Sequence, residues 1–252
     1  MPIKHNNIKQ SRIIHRGNHL IIEILYEVKE KEYINNNRYC SIDLGINNLC
    51  TIGSNVIKPI IINGKPLKSI NQYYNKKLAT LKSKQKLKQF NKQKIQKLNF
   101  KRNNKINDYL HKSSHYIVNH LVSNNITNLV IGLNKEWKQE TNIGKVNNQN
   151  FVQIPHSKLI EMLKYKCQLE GINVIVREES YTSKCSFIDN ESICKHENYL
   201  GKRIKRGLFV SKEKRIINAD LNGALNILKK EVPELQYGIE VCSTPIVFTI
   251  KK

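Results

Sequence analysis

The 252-residue sequence predicts a mixed α/β fold, one sheet with helices on its faces. Three observations predict it. Three short runs rich in β-branched residues follow one another between residues 39 and 62. Two more apolar runs, at 126–133 and 172–176, alternate with segments of helical period. A last helical segment at 217–229 closes the series. Adjacent strands followed by strand–helix alternation is the pattern of a mixed sheet covered by helices.

The elements follow in order. Residues 10–28 are apolar on both sides of Arg16-Gly17-Asn18, a turn signal, and predict a β-hairpin. Residues 29–37 are polar and predict a linker. Tyr39 to Leu44 is a short strand ending near Asp43 and followed by Gly45. Leu49 to Ile52 and Val56 to Ile62 are two more strands, separated by Gly53-Ser54-Asn55. Residues 65–105 hold 14 Lys/Arg and no acidic residue, with apolar residues at three-to-four spacing. This is a basic amphipathic helix or helical hairpin. A helix is expected over 106–123, a strand over 126–133, and an Asn/Gly-rich loop over 141–151. Pro155 and Ser157 open a helix that reaches Leu169 and is stopped by Gly171. Ile172 to Val176 is a strand ending in Arg177-Glu178-Glu179. Residues 182–217 are polar and basic without clear periodicity, Ile217 to Lys229 is the last helix, and the tail after Pro233 gives no pattern. From residue 38 this is the ribonuclease-H-like order of elements, which hosts many functions.

Charge narrows the function. The chain carries 43 Lys+Arg against 20 Asp+Glu, a net charge of +23. Such an excess points to a polyanion, most often nucleic acid. No run of about 18 apolar residues exists, which excludes a spanning helix of that kind. The first residues carry no apolar core of a secretory signal. The cysteines at 40, 50, 167, 185, 194 and 242 form no tight framework, so reduced thiols and a cytoplasmic setting (nucleoid-associated in a prokaryote) are expected.

The acids are few, and their positions are informative. Asp43 ends the first strand of the sheet, Asp220 stands early in the last helix, and Glu178 and Glu179 follow the last strand. The predicted topology can bring these three element ends together. Phosphodiester hydrolysis by a two-metal mechanism needs such a cluster, since a pair of hard cations about 4 Å apart activates water and stabilises the leaving oxygen. Mg²⁺ (or Mn²⁺) takes oxygen ligands and keeps several waters. Each acid also has an ordinary explanation: Asp43 in a turn, Asp220 as a cap, Glu178 and Glu179 solvated.

The segments IDLGINNL, LVIGLNKEWKQ, GKVNNQNFVQIPHSKLIEML, EESYTSKCSF, GKRIKRGLF and INADLNGALNIL, in this order, resemble the OrfB/TnpB family of insertion-sequence proteins. That family is related to the Fanzor proteins and the type V CRISPR nucleases. The resemblance runs from about residue 10 to residue 229. It implies a RuvC-type nuclease domain, Mg²⁺ or Mn²⁺ as cofactor, DNA and a guide RNA as partners, and no membrane. It places two of the family's three acids on Asp43 and Asp220. The position of the second acid, at the end of the middle strand, is here Gly132. Either the acid has moved to Glu179 (or Glu178), on the neighbouring strand, or the site is inactive and binding alone remains.

Two further departures follow. Many relatives carry paired CxxC motifs for structural zinc before the last helix. Here only Cys185, Cys194 and His196 stand in that region, and Ile188 occupies a ligand position, so no zinc is expected. The relatives' larger N-terminal part is represented here by the hairpin alone, which resembles the last strands of a wedge-like β-barrel. The expected division is therefore 1–37, barrel remnant and linker; 38–230, the nuclease domain with its basic helical segment at 65–105; and 231–252, a tail. Residues 180–216 form a basic insert in the zinc ribbon's place. Lys84, Lys86, Lys88, Lys92 and Lys94, and the cluster Lys202, Arg203, Lys205 and Arg206, are the expected nucleic-acid contacts. Tyr181, Trp137 and 148–151 are candidates to touch nucleotides, the last two packing positions as well.

Overall fold

The computed structural model describes residues 7–16, 19–83, 92–133 and 154–250. Its centre is a six-stranded sheet in the order β11-β5-β4-β3-β6-β7. The strands are β3 (Tyr39–Leu44), β4 (Asn48–Ser54), β5 (Ile60–Asn63), β6 (Asn128–Gly132), β7 (Asn173–Arg177) and β11 (Ile246–Phe248). β3, β4 and β5 form an antiparallel meander, while β6 and β7 continue the sheet parallel to β3. This is the ribonuclease-H-like arrangement that the element order predicts.

The period-2 alternation of β3 decides what each face carries. Cys40, Ile42 and Leu44 enter the main core, with Ile106, Leu110, Ile117 and Leu121 of α2 (Lys92–Ser123) and Leu159 and Leu163 of α3 (His156–Leu169). Ser41 and Asp43 point to the opposite face. There Ser41 Oγ donates to the Ala224 carbonyl of α4 (Ala219–Glu231) at 2.6 Å. β6 repeats the rule: Leu129 and Ile131 join the main core, while Val130 packs with Ile227 and Leu228 of α4.

The N-terminal hairpin is β1 (Ile8–Arg16) paired antiparallel with β2 (His19–Tyr26), as expected. The polar linker after it is strapped to the main body. Tyr33 Oη donates to Asn128 Oδ1 at 2.8 Å, and Lys31 pairs with Glu170 at 2.5 Å.

Several expectations need correction. The basic segment is two helices, α1 (Lys65–Ser83) and α2, and α2 continues as one 32-residue helix through the separate helix expected at 106–123. The less exposed face runs unbroken through Ile95, Leu98, Arg102, Ile106, Leu110, Ser113, Ile117 and Leu121, so one helix carries both the basic part and the core part. The strand expected at 56–62 begins only at Ile60, because Pro59 cannot donate to the ladder. Residues 182–217, without period in the sequence, contain a three-stranded sheet of β8 (Lys202–Lys205), β9 (Leu208–Val210) and β10 (Ile216–Asn218). The tail also joins the fold: β11 pairs parallel with β5, Ile246 beside Ile60. Strands of three or four residues are too short to show alternation. The loop expected at 141–151, Trp137 and 148–151 lie outside the described residues.

Candidate active site

The first acid is placed by β3. Asp43 lies opposite Thr51 of β4, on the face covered by α4. Its carboxylate can approach that helix because residue 223 is glycine: a Cβ there would stand 3.1 Å from Asp43 Oδ2. Gly223 is one turn beyond Asp220, so both present the same helix face to Asp43.

The second acid is placed by a helix cap. Asn218 is the N-cap of α4, and its side chain accepts from the backbone N–H groups of Asp220 and Leu221, each at 3.0 Å. Asp220 thus sits in the first turn, where the helix dipole favours a negative charge. Its carboxylate has two partners. Asn48 Nδ2 of β4 donates to Oδ2 at 2.7 Å, and Arg203 Nη2 of β8 donates to Oδ1 at 3.2 Å.

The third acid comes from the turn after β7. Gly132 ends β6 opposite Arg177, and a Cβ at Gly132 would stand 2.6 Å from Glu179 Oε2. The Glu179 carboxylate therefore fills the room that a side chain at 132 would take. A tight turn fixes its backbone: Thr182 Oγ1 donates to the Glu179 carbonyl at 2.8 Å, and Tyr181 has the left-handed φ of 68°. Glu178 goes elsewhere. It forms an ion pair with Lys230 and accepts from the Ser180 N–H at 2.7 Å.

The electrostatics of Asp43, Glu179 and Glu178 differ accordingly. Burial pushes Asp43 well above the usual carboxylate range, Glu179 and Asp220 push it further, and Arg203 opposes them. Burial raises Glu179 to about 7, with Glu178 adding and Lys230 opposing. Burial also acts on Glu178, but the bonds from Lys230 and Ser180 outweigh it and its carboxyl lies below the usual range. Crowded, desolvated carboxylates of this kind call for a cation.

Asp43 and Asp220 open on a cleft of about 330 Å³ that is also lined by Asn48, Lys65, Arg203 and Arg206, among others. Carboxylates and cations share its walls. Lys202–Lys205 is a strand exposed along its whole length, so its basic side chains reach solvent beside the cleft. Arg206 donates to the Asn47 amide oxygen when that amide is turned to satisfy both its atoms. Among the described residues no group of three or more His, Cys, Asp or Glu is placed so that it could hold a metal ion. The donor set nevertheless suits a hard divalent ion, because Mg²⁺ retains its waters and asks for only one or two carboxylates. Three contributors carried no clear signal in the sequence: Asn48, Gly223 and the contact of Arg203 with Asp220.

A family model described as a probable transposase (OrfB_IS605) matches residues 23–138. A second, the Cas12f1-like TNB domain, matches residues 156–227. A TnpB-like protein, ORF457 of Acidianus two-tailed virus, is 33% identical over 93 residues, 36% of this chain and 19% of its own length. Together these matches support a TnpB-family protein related to Cas12f. The fold of the chain is similar to two solved Cas12f structures. A cryo-EM Cas12f1–sgRNA–target DNA complex gives a TM-score of 0.58 at 16% identity, over 84% of this chain and 54% of that one. A CRISPR–Cas12f ternary complex gives 0.60 at 18% identity, over 90% and 46%. The chain spans about half the length of these Cas12f chains and about a fifth of the viral relative. The RuvC-type fold is thus shared with Cas12f nucleases.

The TNB-like segment is tied by a carboxylate. Glu191, 5% exposed, accepts from the N–H of Ser186 at 2.7 Å and of Leu200 at 2.9 Å, closing the loop on itself. Asn222 and Asn226, one helical turn apart on α4, both donate to the Cys185 carbonyl at 2.8 Å and hold the loop to the helix. Cys194 Sγ and His196 Nε2 are 3.4 Å apart, and Cys185 Sγ meets only the Cys194 carbonyl, at 3.7 Å. Glu191→Ala strands the buried Ser186 N–H and the half-buried Leu200 N–H, and loss of a buried partner costs about 1–3 kcal/mol. The expected result in a thermal melt is a fall of about 5–15 °C, with Glu191→Gln falling less. An unchanged melting temperature would remove Glu191 from this role.

Proposed function

We propose that this chain is a divalent-metal-dependent nuclease of the transposon-encoded TnpB kind, with Asp43, Glu179 and Asp220 as its metal ligands and Mg²⁺ or Mn²⁺ as its cofactor. The observation that carries the proposal is that Glu179, in the turn after β7, and Asp220, in the first turn of α4, both act on the buried Asp43 of β3, beside a cleft that Asp43 and Asp220 line together with Arg203, Arg206 and Lys65. When bound, the cations would supply the activated water and the charge that offsets the leaving oxygen. The chain's own side chains do the rest. Asn48 and the Asn218 cap fix the Asp220 carboxylate. Arg203 and Arg206, with Lys65, neutralise non-bridging phosphate oxygens. Lys202 and Lys205 hold the flanking backbone by charge, without reading sequence. Attack is by water, and no protein nucleophile is required.

DNA is the proposed substrate and an RNA the proposed guide, in keeping with the sgRNA and target DNA of the solved Cas12f1 complex. Of the basic helical residues, Lys92 and Lys94 are exposed near the start of α2, while Lys84, Lys86 and Lys88 lie outside the described residues. The rival reading is a nucleic-acid-binding protein without catalysis, favoured by Gly132 at the family's usual acidic position. The deciding experiment is cleavage of labelled single-stranded DNA in Mn²⁺, with Asp43→Asn as control. Metal-dependent products that vanish in the variant are expected. Products that persist would take Asp43 out of the mechanism, and binding without any product would favour the rival.

A further inference from the structure

A second cleft runs between α1 and α2. It encloses about 1000 Å³. On α1 its wall is the stripe Pro66, Ile70, Tyr73, Lys77 and Leu81, at three-to-four spacing, one face of the helix. On α2 it is Lys94, Lys97, Lys101 and Lys105 at the same spacing. A stripe of this period is where a helix ordinarily buries apolar residues. Here lysines and tyrosines are set among apolar residues along an open groove, and α1 fully buries only Leu67 and Asn71 along its length.

The charge is one-sided. Lys77, Lys94, Lys97, Lys101, Arg102 and Lys105 line the groove, and its one carboxylate, Asp108, is already paired with Lys112 at 3.0 Å. An acidic strand is complementary to it, and a second copy of this basic chain is not. The aromatic rings select further. Tyr73 is 59% exposed, with Lys77 Nζ 5.9 Å from its ring centre. Tyr74 is held by its bond to Asn99 Oδ1 at 2.8 Å and by the Arg102 guanidinium 4.9 Å from its ring. An open ring beside an ammonium offers a stacking face next to a phosphate contact. A base in a duplex has both faces covered, so only an unpaired base can use it.

We propose that the groove between α1 and α2 is a second nucleic-acid site that takes a single strand, with phosphates on Lys77, Lys97, Lys101 and Lys105 and a base stacked on Tyr73. It rests on the reading of nucleic acid as partner but not on catalysis. The groove adjoins the acidic cleft: Lys65 lines the one and Pro66, the next residue, lines the other. A strand lying along α1 is thereby led toward the carboxylates.

The test is fluorescence anisotropy of the full chain, without divalent metal, on labelled oligothymidylate, oligouridylate and a mixed-sequence duplex. The two single strands separate a DNA occupant from an RNA one. Tyr73→Ala is expected to weaken single-strand binding about tenfold and duplex binding less than about threefold, with Tyr73→Phe restoring it. Lys97→Gln with Lys101→Gln is expected to flatten the salt dependence by about 1.4 in log–log slope, about 0.7 per lysine. Binding is read without metal and cleavage with it, so loss of this site and loss of catalysis are distinguishable. The proposal is overturned if Tyr73→Ala binds single strands like the parent, if the duplex suffers equally, or if oligoglutamate binds as tightly. It is also overturned if sedimentation shows a dimer that Tyr73→Ala dissolves.

Discussion

Replacing Glu179 by Gln is expected to lower metal-dependent cleavage on the order of 10²–10³-fold, while Glu178→Gln leaves it within about threefold. The two residues are adjacent in sequence, and only their surroundings separate them. Glu179 occupies the space over Gly132 and acts on Asp43, whereas Glu178 is held by Lys230. Loss of one ligand to an ion that stabilises the transition state costs several kcal/mol, and about 1.4 kcal/mol is tenfold in rate. A third variant separates position from charge. Gly132→Ala would place a Cβ 2.6 Å from Glu179 Oε2 and 2.4 Å from Ile227 Cδ1, displacing the carboxylate without removing it. Ile227→Val relieves the apolar overlap, so the defect that remains in the double variant belongs to the carboxylate. Single-turnover cleavage rates for the set are the measurement. A Glu179→Gln protein that cleaves at the parental rate ends the assignment.

Without divalent cations the protein is expected to lose stability as pH rises between about 4.5 and 7, and added Mg²⁺ to restore more at pH 8 than at pH 5. The sign follows from Glu179. Its carboxyl lies at about 7 in the folded protein against 4.5 ordinarily, so in that window the folded state holds a proton that the unfolded chain releases. Stability falls with pH wherever the folded state binds the extra proton. The shift corresponds to a loss on the order of 3 kcal/mol across the window, and Asp43 adds in the same direction. A cation that binds only the ionised, folded site reverses the loss by mass action. Thermal melts across pH, with and without Mg²⁺, check this. Glu179→Gln should flatten the apo profile in that window and shrink the Mg²⁺ shift. Identical profiles for parent and variant would mean that the crowded carboxylates neither repel one another nor hold an ion.

Much of this was legible in the sequence, and the reason is local. The β-branched runs at β3, β4 and β6 and the helical period of α3 and α4 are properties of a few consecutive residues, so the order of elements follows from them. Asp43 at a strand end and Asp220 at a helix start are placed by that same order. The crowding of cations at 65–105 needs only counting. Charge and period thus determine a basic ribonuclease-H-like chain with two acids available to one site.

Other features were decided only by the folded molecule. The sequence already favours Glu179 over Glu178, but which carboxylate falls over Gly132, a residue far away in sequence on the neighbouring strand, is set only by the packing. The grip of Asn48 and Arg203 on Asp220 joins β4 and β8 to the end of α4, and no local period records it. The small sheet within 182–217 and the edge strand β11 are too short to show alternation, and their partners are remote. Local pattern fixes which element forms and which face is apolar, while the meeting of distant side chains depends on strand order and close approach, which only the tertiary packing supplies.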